Sequence, residues 1–209
     1  MVKTIIFDFD GTIADTMPLI FKIYNENAKK FGIPRLSRIQ TEKIREMTAK
    51  EISKIYKVSL LKFLFIVTKM RKILNTRIDQ AELFYGIKEM LKGLRQRGIK
   101  IGILSSNSQE NIKKFLKTND LMLFDFIHSE LNIFAKARAL KNLLRRHRLT
   151  KENVIYIGDE VRDIEACKKN GVKIIAVSWG FNKKEVLSKN NPSYMVDKPQ
   201  EILKIVDKN

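Results

Sequence analysis

Two carboxylates, Asp8 and Asp10, stand two residues apart at the end of the run TIIFDFDGT, residues 4–12. Side chains alternate along a strand, so positions 8 and 10 project to one side, where they can share a metal ion or a substrate. Two acids so close can divide roles, one ionised as a nucleophile and one held protonated as a general acid. Gly11 lets the backbone turn away tightly behind them. A second apolar run, IKIGIL at 99–104, ends in Ser105-Ser106-Asn107-Ser108. A hydroxyl with free backbone N–H groups beside it is a cradle for a phosphoryl oxygen. A third, VIYIG at 154–158, leads into Asp159-Glu160-Val161-Arg162-Asp163, with two more acids four residues apart. Oxygen donors of this kind suit Mg²⁺ and repel an anionic substrate unless a cation intervenes. Lys136, in LNIFAKARAL, lies in the right sector of the chain to add a fixed positive charge. Each group also has an ordinary reading: serines and aspartates as helix caps, Lys136 as a solvated lysine.

These residues need a scaffold that brings strand ends to one edge. Short β-branched and aromatic runs at 4–9, 99–104, 124–127, 154–158, 172–177 and 193–196 read as strands. Helical periodicity lies between them: Ile87, Met90, Leu91 and Leu94; Ile112, Phe115 and Leu116; Ala139, Leu140, Leu143 and Leu144; and residues 164–169, stopped by Asn170-Gly171. Strand alternating with helix predicts an α/β fold with a doubly wound parallel sheet, whose ligands sit beyond the carboxyl ends of the strands. One interval breaks the rhythm. Between the first two strands lie roughly ninety residues with no convincing strand, far more than the dozen or so a crossover needs. Helical spacing at Ile20 to Ala28, Ile44 to Ile55 and Leu60 to Leu74 predicts an inserted helical domain over 16–83, with the α/β core formed by 1–15 and 84–209.

The 209 residues suffice for one full core and a small second domain. The single cysteine, Cys167, excludes an intramolecular disulfide and reads as a small buried helix residue. The N-terminal run lacks the apolar length of a signal peptide, so the expected location is cytoplasmic. The apolar stretch at 55–74 is interrupted by Lys57, Lys62 and Lys69, which predicts a well-buried helix rather than a membrane span. Net charge is +18, with 15 Lys and Arg against 7 Asp and Glu over residues 15–83, so both parts are basic. Such charge attracts anions in general, but there is no arginine-rich arm and no basic run with interleaved aromatics. His128 and His147 show no partner pattern, Glu160 reads as a solvated acid, and Asp15 as a cap for the first helix of the insertion.

DFDGT at 8–12, the hydroxyl of ILSS, the lysine of FAK and GDEVRD at 158–163 resemble the four ordered motifs of the haloacid-dehalogenase-like hydrolases. By average residue usage, D-x-D-G-T arises at about one start in 10⁵. The insertion is similar to the helical cap of phosphoglycolate-phosphatase-like members, and VSWGF at 177–181 to their loop after the last motif. The resemblance implies a phosphatase in which Asp8 attacks phosphorus to form an aspartyl-phosphate. Asp10 would protonate the leaving alcohol and then deprotonate water. Mg²⁺ would be held by the Asp8 carboxylate, the Asp10 backbone carbonyl and Asp159, with Asp163 helping directly or through water. Ser105 would bind a phosphoryl oxygen, with the backbone N–H groups of Phe9, Asp10 and Ser106, while Lys136 neutralises charge. Thr12 would brace the turn, and Arg45 would reach the substrate from the cap. A small phosphorylated metabolite is the expected partner. An end phosphatase for nucleic acids, a sugar-phosphate mutase and a non-enzymatic scaffold are the alternatives. The cap would obstruct a long polymer, the second acid argues against a halocarbon substrate, and all four motifs are intact.

Overall fold

The computed structural model describes residues 2–56, 59–132 and 134–209; Lys57, one of the lysines that interrupt the apolar stretch, lies outside them. The chain begins with β1 (Thr4–Phe7), whose four residues are all buried, and a two-residue strand β2 (Ala14–Asp15). Among the described residues four α-helices follow: α1 (Met17–Phe31), α2 (Arg38–Ile44), α3 (Ala49–Ile55) and α4 (Leu60–Arg77). A second two-residue strand, β3 (Glu82–Leu83), pairs antiparallel with β2, so the four-helix segment leaves and re-enters the chain through one short ribbon. The rest alternates: α5 (Ile87–Gln96), β4 (Lys100–Ser105), α6 (Gln109–Thr118), β5 (Phe126–Ser129), α7 (Lys136–Arg146), β6 (Val154–Gly158), α8 (Val161–Asn170), β7 (Lys173–Val177), α9 (Lys184–Lys189), β8 (Tyr194–Val196) and α10 (Pro199–Val206).

Six strands form one parallel sheet in the order β5-β4-β1-β6-β7-β8. The chain runs outward from β1 through β4 to β5, then crosses back to β6 on the other side of β1. The crevice at the carboxyl ends of β4, β1 and β6 is therefore the topological switch point, where α/β sheets bind ligands. Alternation in β1 feeds both faces: Ile5 and Phe7 pack with α5, α6 and α10, whereas Ile6 packs with α7, α8 and α9. Cys167 is fully buried in that second layer, as its helical context predicts.

The structure differs from the sequence reading in four places. The helical stretch at 44–55 is two helices, because Thr48 and Glu51 form a capping box that starts α3 afresh. The strand read at 124–127 begins at Phe126, because the Asp125 carboxylate accepts from Ile101 N (2.7 Å) and Arg95 (2.8 Å) at the sheet edge while Phe124 packs edge-on against Phe7. Helix α4 is buried on one side only. Ile66 and Leu74 are covered, but Leu61 is 81% and Phe65 55% exposed. Among the described residues no helix is long and apolar enough to cross a membrane.

The fourth concerns the histidines, which partner each other. His128 Nε2 and His147 Nε2 lie 3.1 Å apart, with the His147 ring stacked on Phe126. Burial and then His147 push the His128 pKa down; burial and then Arg146 do the same for His147. Rings with depressed folded pKa values bind fewer protons folded than unfolded. Their contribution is complete above the unfolded value of about 6.5 and is lost as pH falls through the folded values. Replacing His128 with Gln is expected to flatten the decline of the urea midpoint between about pH 6.5 and 5; an unaltered slope would contradict the pairing.

Candidate active site

β1 delivers Asp8 one residue beyond its last paired position, with Asp8 N still donating to Ile157 O (2.8 Å). The carboxylate is buried and faces Lys136 Nζ. Lys136 opens α7, a position where the helix dipole disfavours a cation. What holds it there is the pair of carboxylates that its ammonium meets, Asp8 and Asp163. Burial alone would depress this lysine, but Asp163 and then Asp8 outweigh it and hold the pKa up.

Asp159 follows β6 and is fully buried. It accepts from Thr12 Oγ1 (2.6 Å) and from Phe181 N (2.7 Å), so Thr12 ties the turn after β1 to the turn after β6. Burial first, then the charges of Glu160, Asp8 and Asp163, push the Asp159 pKa far up. Asp163, in the first turn of α8, both caps the helix, accepting from Glu160 N (3.1 Å), and points its Oδ1 at Lys136. Its pKa is raised by burial against the pull of Lys136. Gly11 (φ +76°) and Gly180 permit this packing: a Cβ at either would land on the Asp159 side chain. Gly11→Ala is expected to lower stability by at least about 1 kcal/mol in urea denaturation, since the backbone is left-handed and the carboxylate must move; a neutral substitution would contradict the geometry.

Asp10 stands beside Asp8 and projects toward the cavity. Asn107 Nδ2 donates to its Oδ1 (3.1 Å), and the Thr16 side chain also hydrogen-bonds to it. Burial, then the charge of Asp8, raises its carboxyl to about 6, which keeps a proton within reach near neutrality. Ser105 is buried at the end of β4, and its Oγ accepts from Asn107 N (3.0 Å). Phe9 N donates to Asp8 Oδ1 (2.7 Å), so that N–H faces the same point as the carboxylate, while the Phe9 ring packs edge-on against Phe115. Ser106 turns its hydroxyl toward Arg162, 3.4 Å from both terminal nitrogens.

Arg45 lies elsewhere than the sequence reading suggests. Its Nε and Nη2 donate to the carbonyls of Phe181 (3.1 Å) and Gly180 (3.0 Å), so it clasps the loop after β7 and does not line the cavity. Asn182 completes the clasp by donating to Arg45 O (3.0 Å) and accepting from Val161 N (2.9 Å). Asp15 is not the cap of α1 that the sequence suggests: the N-cap is Thr16, which carries no side-chain cap hydrogen bond. Asp15 sits one residue earlier, where burial raises its pKa and the nearby Met17 N–H pulls against that rise. Three contributors escaped the sequence reading. Asn107 holds Asp10, Arg162 pairs with Glu160 (2.6 Å), and Arg71 of α4 reaches across to Leu131 O (3.0 Å), close enough to feel the charge of Asp10. Asn107 was findable, since it follows the serines at a strand end. Arg71 was not, because its approach depends on how α4 folds back.

One oxygen each from Asp8, Asp159 and Asp163 lie within 4.8 Å of one another, all three residues buried. Among the described residues, Asp163 Oδ1 has no hydrogen-bond partner beyond its ionic contact with Lys136. Three buried carboxylates against one ammonium leave negative charge in excess, and an all-oxygen donor set suits a hard divalent cation. The cluster fits such an ion.

Comparison with known proteins agrees with this chemistry. Residues 5–177 match the family model described as haloacid dehalogenase-like hydrolase. The chain is 33% identical over 206 residues to a phosphoglycolate phosphatase of Synechococcus elongatus, covering 98% of this chain and 97% of the relative. It is 26% identical over 225 residues to the pyrophosphatase PpaX of Listeria monocytogenes, covering 98% and 96%. Among solved structures it superposes on a haloacid dehalogenase-like family hydrolase from Streptococcus pneumoniae with a TM-score of 0.82 at 26% identity, covering 98% of each chain. A predicted phosphatase from Clostridium acetobutylicum shares the fold at a TM-score of 0.87 and 21% identity over the whole of both chains. A chain matched along nearly its full length, with its acids at the switch point of the matching sheet, belongs to the haloacid dehalogenase-like hydrolase family and is a phosphatase of its phosphoglycolate-phosphatase-like group.

Proposed function

We propose that this chain is a Mg²⁺-dependent phosphomonoesterase for a small phosphorylated metabolite, working through an aspartyl-phosphate on Asp8. Residues 16–83 act as a cap that excludes bulk water from the reaction. The observation that carries this reading is the gathering of Asp8, Asp159, Asp163 and Lys136 into one buried cluster, with Asp10 beside it at the cavity wall.

An Asp8 oxygen attacks phosphorus, and the bond from phosphorus to the alcohol oxygen breaks. The Asp10 carboxyl gives its proton to that oxygen, and the alcohol departs. The Asp10 carboxylate then takes a proton from water as the water oxygen attacks phosphorus; phosphate leaves and Asp8 is restored. Lys136 neutralises charge on the nucleophile and the phosphoryl group, and the Ser105 hydroxyl holds a phosphoryl oxygen. Asn107 and Thr16 keep Asp10 aimed at the leaving oxygen. The carboxylates of Asp8, Asp159 and Asp163 and the backbone carbonyl of Asp10 would hold Mg²⁺, which as a Lewis acid supplies charge stabilisation to the transferring group.

Hydrolysis of p-nitrophenyl phosphate is expected to cease in chelator and to return with added Mg²⁺. At a concentration 100 times its dissociation constant the ion is also expected to stabilise the fold by about 2.7 kcal/mol in thermal or urea unfolding. Equal activity with and without chelator would rule the metal out of the reaction. Phosphoglycolate and pyrophosphate, named for the relatives, belong in the first substrate panel.

A further inference from the structure

A cavity of about 700 Å³, with Asp10 and Lys136 on its wall, runs between the four-helix segment and the core. That volume lies in the range that accepts drug-sized ligands, so a phosphoryl group and a two-carbon acid would leave most of it unfilled. Asp10, Ser106, Asn107 and Lys136 line the cavity on the core side. Arg71, Glu160, Arg162, Glu165 and Lys169 also reach its wall. The helices of residues 16–83 contribute a mainly apolar surface: Ile20 and Ile23 from α1, Ile52 from α3, and Val67, Met70 and Leu74 from α4. The spacing 67, 70, 74 places one face of α4 on the cavity, and 20, 23 does the same for α1.

Recognition of a second anion would need cations pointed into this space. Arg162 is paired with Glu160 (2.6 Å), while Arg71 donates one N–H to Leu131 O (3.0 Å) and keeps its charge near Asp10, on the phosphoryl side. Glu165 and Lys169 also line the cavity, one turn apart on α8 and of opposite sign. Water against so many aliphatic groups finds few hydrogen-bond partners, so an apolar occupant gains from displacing it.

Building on the phosphomonoesterase reading above, we propose that the substrate is a phosphate monoester whose alcohol carries an extended apolar group, seated against α1, α3 and α4. The core side of the cavity, beside Asp10 and Lys136, receives the phosphoryl group, and the apolar surface of α1, α3 and α4 selects the remainder.

The test is kcat/KM across the n-alkyl phosphates from methyl to octyl, with phosphoglycolate and pyrophosphate alongside. In parallel, calorimetry measures binding of methylphosphonate and octylphosphonate, which cannot be hydrolysed at the phosphorus–carbon bond. Each added methylene is expected to raise kcat/KM about twofold to fourfold until the cavity is full. Octylphosphonate is expected to bind about 10²-fold more tightly than methylphosphonate. Met70→Asp is expected to lower the octyl-to-methyl ratio at least about tenfold, and Met70→Leu to preserve it, with circular dichroism confirming that both fold. A flat alkyl series, or equal binding of the two phosphonates, overturns the proposal. If no phosphate ester is turned over but the phosphonates still differ, the hydrolytic reading fails and the apolar seat stands.

Discussion

Replacing Asp8 with Asn is expected to cut the hydrolysis of p-nitrophenyl phosphate by about 10⁴-fold or more, the scale on which enzymes lose rate when a covalent nucleophile is removed. The amide is nearly isosteric and sits at the end of a strand whose four paired residues are all buried, so the sheet should remain intact by circular dichroism. Its oxygen would still accept from Phe9 N, as the Asp8 carboxylate does at 2.7 Å. What disappears is the charge proposed to attack phosphorus and one of the three clustered carboxylates. A variant retaining a tenth of the wild-type rate would show that another group attacks phosphorus.

Lys136→Met is expected to produce the largest loss of stability of any single substitution considered. The ammonium lies between Asp8 and Asp163, and all three groups are almost wholly buried. Removing one partner of a buried ion pair while leaving its counter-charges in place costs about 3–5 kcal/mol, because the carboxylates stay desolvated and repel each other. That is a large share of the roughly 5–15 kcal/mol available to a domain, so the urea midpoint should fall sharply in metal-free buffer. Two further measurements separate charge from packing. Saturating Mg²⁺ should recover part of the loss, and Lys136→Met combined with Asp163→Asn should be more stable than Lys136→Met alone. If the double variant is the less stable of the two, packing against the Tyr156 ring, 5.5 Å from Nζ, is the greater contribution.

The parts of this molecule that read directly from sequence are those whose chemistry is local. Asp8 and Asp10 share a strand end, Asp159 and Asp163 share a turn and the helix it starts, and the period-two and helical patterns around them place all four at one edge of a parallel sheet. Lys136 was legible only as a member of that set, since a lysine at the start of α7 has no local signature. Features that depend on chain segments meeting from afar stayed hidden. Arg71 approaches Asp10 only because α4 folds back over the core, and Arg45 spends its guanidinium on two backbone carbonyls that carry no sequence signal. The β2–β3 ribbon is two residues per strand, too short for any periodicity to register. The break between α2 and α3 lay open in Thr48 and Glu51, a capping box inside an apolar pattern that reads as continuous. His128 and His147 meet across β5 and the end of α7, a tertiary contact with no motif behind it.

The central claim is that Asp8 carries the phosphoryl group during turnover. Acid quenching during steady-state hydrolysis of a phosphate ester, followed by borohydride reduction and peptide mass spectrometry, reads the site of any acyl phosphate directly. The expected result is a reduced residue at position 8, dependent on substrate and absent from Asp8→Asn. Modification at Asp10 or Asp159, or turnover with no trapped acyl phosphate at any carboxylate under conditions that trap a control phosphoenzyme, would contradict it.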